Sequence, residues 1–130
     1  MNFVSMKICI VGCGNMGQAY ARSFRKYGLA QQDELLLVLR SEGRRSQLEA
    51  LGRVTTTMGG AISTCDLVIV AVKPQDFGSI SPALAPLLRP GQVVLSIMAG
   101  ITIARLQADL QHRFVVGREL EHLDALDVGW

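Results

Sequence analysis

Met6-Lys7-Ile8-Cys9-Ile10-Val11-Gly12-Cys13-Gly14-Asn15-Met16-Gly17 sets a short apolar run directly ahead of three glycines in GxGxxG spacing. Residues 6–11 have the character of a strand covered on both faces, as found in the middle of a parallel sheet. After Gly12 the period changes. Met16, Ala19, Tyr20, Ser23, Phe24 and Tyr27 recur at helical spacing, with Gln18, Arg22, Arg25 and Lys26 on the other face. Gly28 is a natural stop, because glycine accepts the left-handed conformation that ends many helices. Within the turn each glycine has its own task. Gly12 permits the tight bend, Gly14 lets the backbone approach a pyrophosphate, and Gly17 lets the helix pack close to the strand. The helix amino terminus then offers N–H groups and the positive end of its dipole to phosphates. A GxGxxG by itself is a weak signal, but here a strand precedes it and a helix follows.

The same alternation continues to residue 116. Further strands are predicted at 35–39, 54–57, 67–72 and 93–97, and a sixth begins at 114–116. Between them fall a polar helix at 42–51, a helical turn at 61–65 and a helix at 102–110 capped by Thr102. Residues 77–88 have helical spacing but contain Pro82 and Pro86, which predicts a partly irregular segment. Strands and helices joined by short loops require right-handed crossovers and a parallel sheet. The expectation is one α/β domain, a Rossmann-type doubly wound sheet spanning residues 1–116. Its first strand is central and its ligand lies over the carboxyl ends of the strands. Residues 117–130 read as a short acidic tail, with Leu120, Leu123 and Leu126 on a narrow apolar stripe.

Composition narrows the function further. A chain of 130 residues fits one ordinary domain, and 49% hydrophobic against 18% charged residues is globular rather than disordered. The net charge of +2 and 5% aromatics argue against nucleic acid and anionic membranes as partners. Cys9 and Cys65 fall in apolar runs and are expected to be small buried hydrophobes, which fits a reducing cytoplasm. Residues 1–7 lack the pattern of a secretory leader, and the apolar runs are too short to span a bilayer. The expectation is a soluble, cytoplasmic protein. No metal-ligand or Ser-His-Asp constellation stands out, catalytic residues stay unknown, and His112 and His122, in polar stretches, are expected to face solvent.

The second strand decides between nucleotides. NAD-binding domains usually end it with Asp or Glu, which holds the ribose hydroxyls and repels a 2′-phosphate. Here it ends in Arg40-Ser41, with Arg44 and Arg45 just beyond, and Arg40 lies 23 positions after Gly17. A guanidinium can fork onto a phosphate and Ser41 adds a hydroxyl donor. One charge-assisted bond at the low end of about 1.5–3 kcal/mol gives roughly a tenfold preference for NADP(H). Arg44 and Arg45 are equally readable as solvated surface cations.

Three segments together carry a resemblance: residues 10–17 (Ile-Val-Gly-Cys-Gly-Asn-Met-Gly), 72–75 (Val-Lys-Pro-Gln) and 96–102 (Ser-Ile-Met-Ala-Gly-Ile-Thr). In order and spacing the chain resembles the amino-terminal half of pyrroline-5-carboxylate reductases, over residues 7–116. The resemblance implies proline biosynthesis by an oxidoreductase, through hydride transfer from NADPH to the C=N bond of pyrroline-5-carboxylate. It implies that Asn15 and Met16 contact the cofactor phosphates, and that Arg40 and Ser41 contact the adenosine 2′-phosphate. Ala71, Val72, Lys73 and Pro74 would line the pocket at the end of the fourth strand, and Ala99 and Gly100 would lie near the nicotinamide. Without it, Lys73 reads as a solvated loop lysine and residues 98–100 as a plain turn.

The chain also departs from that family. The family continues past the sixth strand into an Arg-x-Met-Pro-Asn-Thr-Pro segment and a helical domain that makes the oligomer and completes the substrate pocket. Residues 117–130 do not follow that pattern. A truncation, a frameshifted end and an alternative terminus are all compatible with the sequence. The resulting expectation is a chain that binds cofactor but catalyses little alone. Three other readings stay open: another NADP-dependent reductase with the same turn, a stand-alone NADP(H)-binding or interaction module, and a nonfunctional fragment.

Overall fold

The computed structural model describes residues 6–117. Six strands, β1 (Ile8–Val11), β2 (Leu35–Val38), β3 (Arg53–Thr55), β4 (Leu67–Val70), β5 (Val93–Ser96) and β6 (Val115–Gly117), form one sheet in the order β3-β2-β1-β4-β5-β6. Every pairing is parallel. Helices α1 (Asn15–Lys26), α2 (Arg45–Leu48), α3 (Phe77–Leu84) and α4 (Ile103–Leu110) lie in four of the crossovers, and a 3-10 turn, Gly60–Thr64, lies in the one from β3 to β4. This is the doubly wound α/β fold that the alternation predicts, with β1 in the interior of the sheet.

The apolar runs explain why the sheet is covered on both faces. Along β1, Cys9 and Val11 point to one side and Ile8 and Ile10 to the other, and all four are buried. The first side packs with Leu36, Val68 and Val94 against Phe77, Leu84, Leu106 and Leu110 of α3 and α4. The second packs with Leu35, Leu37 and Ile69 against Ala21 of α1 and Leu48 of α2. Full burial of each large side chain stabilises the fold by about 1.5–3 kcal/mol relative to leaving it in water. Cys9 and Cys65 are buried in the first core, as their apolar surroundings predict.

Several boundaries differ from the expectation for local reasons. The helix expected at 42–51 shrinks to a 3-10 turn, Glu42–Arg44, followed by the single α-turn of α2. Gly43 weakens helix within that stretch, no side chain caps it, and only Leu48 is buried. The strand expected at 67–72 pairs only to Val70, and Pro74 opens a 3-10 turn, Pro74–Asp76. The segment with two prolines is irregular as anticipated: α3 passes into a 3-10 turn, Ala85–Leu87, that begins beside Pro86. Thr102 caps α4 by accepting from the Arg105 N–H at 3.1 Å.

The expectation for His112 was wrong. It is 7% exposed, with Nε2 2.6 Å from the carbonyl of Gln92. Gln111 ends α4 in the left-handed conformation, at φ 51°, and the chain reverses so that the next residue points inward. Gln92 extends the buried network by donating to the carbonyls of Ile62 and Cys65, both at 2.8 Å. Polar flanks therefore concealed an inward histidine. His122 and the apolar stripe at residues 120–126 lie outside the described residues.

Candidate cofactor-binding site

Since β1, β2 and β4 end at the same level of the sheet, the loops that leave them converge. Between those loops lies a cleft of about 480 Å³. Its floor is the glycine turn. Gly12 takes φ +91°, and a Cβ there would lie 2.7 Å from Val72 Cγ1 and 2.8 Å from the Val72 nitrogen. Gly17 lies beneath the turn, where a Cβ would sit 2.5 Å from the Gly12 carbonyl oxygen. Only glycine lets the α1 backbone come this close. At Gly14 the opposite holds: nothing lies within 4 Å of a Cβ, and the residue lines the cleft. A group placed there meets backbone rather than side chain.

The amino terminus of α1 faces this opening uncapped. Gly14 is its N-cap, no side chain satisfies the first turn, and no acidic residue lies in it. The positive end of the helix is thus available to an anion. Gln18, buried on the first full turn, braces the loop by donating through Nε2 to the Cys13 carbonyl at 3.3 Å. Burial pushes the Cys13 thiol up to about 12, so it stays protonated at neutral pH and is no nucleophile despite lining the cleft.

Arg40, Ser41 and Arg44 from the loop after β2 form one wall, and Ala71, Val72 and Lys73 after β4 form the other. The structure brings these six together with Gly12 and Gly14. Asn15 and Met16 sit exposed on the first turn of α1, Gly17 packs below, and Pro74 opens the turn behind Lys73. None of these four lines the cleft directly. Ala99 and Gly100 occupy an exposed turn beyond β5, also outside the lining, with Gly100 at φ +78°. Behind that turn the Met98 N–H donates to Ser96 Oγ at 3.2 Å.

The two ambiguous arginines separate. Arg45 is engaged by Glu42, approaches Glu49 at 3.9 Å and donates to the Val54 carbonyl at 3.2 Å. It braces the loop, and its hydrogen bonds hold the Glu42 carboxyl below the usual glutamate range. Arg44 lines the cleft. Sequence reasoning missed Thr56, Met58, Asp76, Ser79 and Ile80, which also line it. Thr56 and Met58 follow β3, two strands from β1, so only the strand order reveals them. Arg40 Nη1 lies 3.5 Å from Asp76 Oδ2 across the opening.

These residues fit a dinucleotide. The glycine turn leaves room where a pyrophosphate requires backbone, and the wall beside β2 is cationic where a ribose-binding acid would otherwise stand. Among the described residues no group of three or more His, Cys, Asp and Glu side chains converges as a metal site, and no helix is long and apolar enough to cross a membrane.

Comparison with known proteins agrees with this geometry. The family described as NADP oxidoreductase, coenzyme F420-dependent, matches residues 7–100. The pyrroline-5-carboxylate reductase of Pseudomonas aeruginosa is 30% identical over 124 residues, covering 92% of this chain and 44% of the relative. Among solved structures, 1-pyrroline-5-carboxylate reductase from Streptococcus pyogenes is 31% identical with TM-score 0.62, covering 86% of this chain and 39% of that one. A pyrroline-5-carboxylate reductase from Coxiella burnetii superposes with TM-score 0.79 at 21% identity, over 88% of this chain and 43% of the other, a likeness of fold. The chain spans under half the length of the Pseudomonas relative. With the glycine turn, the parallel sheet and the cationic rim in place, the chain belongs to the NADP oxidoreductase, coenzyme F420-dependent family and is similar to the amino-terminal part of pyrroline-5-carboxylate reductases.

Proposed function

We propose that this domain holds NADP(H) for an oxidoreductase of the pyrroline-5-carboxylate reductase type. The observation that carries the reading is a cleft with the open Gly14 backbone on its floor and Arg40, Ser41 and Arg44 on the wall where an NAD-binding domain presents a carboxylate. The α1 amino terminus and Gly14 receive the pyrophosphate, Arg40 and Ser41 receive the 2′-phosphate, and Lys73 adds a cation on the opposite wall. When bound, the reduced cofactor supplies a hydride to the C=N bond of pyrroline-5-carboxylate. Asn15 and Met16 border the phosphates at the mouth of α1, and the turn carrying Ala99 and Gly100 borders the nicotinamide.

The 130-residue chain by itself is expected to bind cofactor and turn over little. Hydride transfer requires donor and acceptor held about 3–3.5 Å apart with water excluded. Ala99 and Gly100 instead lie exposed, beyond the enclosed part of the cleft. Proline formation by the purified chain at the rate of a complete reductase would overturn this expectation.

Calorimetric titration with NADPH and NADH tests the binding reading, with Arg40→Ala alongside. NADPH should bind more tightly, and the variant should fall to the NADH value. Binding of neither nucleotide would refute the assignment of the cleft.

A further inference from the structure

The cleft contains a charge that works against a phosphate. Among the described residues its lining includes three cations, Arg40, Arg44 and Lys73, and a single carboxylate, Asp76. β2 and β4 flank β1 on opposite sides, so the Arg40–Asp76 contact bridges the mouth of the cleft above the glycine turn. Asp76 is also placed oddly for its type. It directly precedes α3, where aspartate commonly caps the helix with its side chain, yet it makes no such bond. Its backbone is already helical, at φ −92° and ψ −10°, which leaves the carboxylate free to reach Arg40.

We propose that Asp76 sets how strongly this cleft prefers a 2′-phosphorylated adenosine over a bare one, by holding Arg40 in an ion pair that the phosphate must displace. The proposal rests on the NADP(H) reading above. A phosphate monoester carries about −1.5 to −2 charges at neutral pH. Asp76 opposes it twice, by occupying the guanidinium and by direct repulsion. Because the Arg40 side chain is 86% exposed and that of Asp76 30%, the pair is solvated and yields readily. Asp76 therefore tempers affinity for the phosphorylated nucleotide without abolishing it, and the same contact keeps the guanidinium at the mouth of the cleft before cofactor arrives.

The test is titration of the whole chain with NADPH and NADH, comparing wild type with Asp76→Asn and Asp76→Glu, each checked for native far-ultraviolet circular dichroism. Asp76→Asn should tighten NADPH about three- to fivefold and NADH less than twofold. Asp76→Glu, which keeps the charge, should stay near wild type. The gain should shrink in high salt and fall by more than half in an Arg40→Ala background. Wild-type NADPH affinity in Asp76→Asn, or weaker binding, would overturn the proposal while leaving the cofactor site standing. If wild type binds neither nucleotide, the site assignment fails and this proposal with it.

Discussion

The glycine turn and the charged rim border one cleft but are built in opposite ways. At the turn the tolerances are set by backbone: an added Cβ would meet main-chain atoms at 2.5 Å over Gly17 and 2.8 Å over Gly12. At the rim a solvated guanidinium faces a carboxylate at 3.5 Å and can swing away. In the proposed reading, close-packed backbone sets where a nucleotide would lie, and solvated surface charge sets which nucleotide would be preferred. Changes at the turn should therefore register in stability, whereas changes at the rim should register in affinity and selectivity.

The hardest blow to that division is Gly12→Val. A β-branched residue at φ +91° is strained and collides with Val72, so a loss of about 3 kcal/mol or more is expected in denaturant unfolding. A variant as stable as wild type would show that the turn is not rigid. Gly17→Ala should follow at about 2 kcal/mol, since the atom it meets is backbone rather than a movable side chain. Arg40→Ala tests the other region. NADPH affinity should drop about tenfold with the unfolding midpoint unmoved, because the ion pair with Asp76 that is given up has a solvated guanidinium. Gly14→Ala sharpens the contrast within the turn itself. Nothing crowds its Cβ, so stability should change by less than about 0.5 kcal/mol while cofactor binding weakens.

The smallest effect concerns pH. Arg45 lowers the Glu42 pKa in the folded state, so the pair's contribution is present above the ordinary glutamate range, near 4.5, and is lost as pH falls through the folded value. Glu42→Gln should therefore be slightly less stable than wild type at pH 7 and indistinguishable from it in strong acid. Equal thermal unfolding at both pH values would mean that the pair contributes nothing to the loop.

The two regions also differ in how far they can be read from sequence. Gly12, Gly14 and Gly17 declare themselves because their spacing, the apolar run before them and the helical period after them all lie within one short stretch. Arg40 and Ser41 are legible because the second strand of this fold ends at a known position relative to the turn. Asp76 gave no such signal. It follows the Val-Lys-Pro-Gln segment and looks like one more polar loop residue, and its meaning depends on a partner 36 positions away. Arg45 was equally ambiguous until Glu42 and the Val54 carbonyl accounted for its donors. His112 misled because a polar neighbourhood in sequence says nothing about the direction in which a left-handed helix end turns the next side chain.

The sequence by itself determined that this protein is a doubly wound α/β domain with β1 in the sheet interior and a tight glycine turn at its carboxyl end. Those features follow from periodicity and from the steric demands of glycine, which are local. The tertiary structure alone decided which cations face the cleft, which one is tied off, and that a carboxylate stands opposite Arg40. Charge pairing across a cleft depends on distances between strands that the order β3-β2-β1-β4-β5-β6 brings side by side. Electrostatic interaction follows separation in space, and no spacing along the chain encodes it.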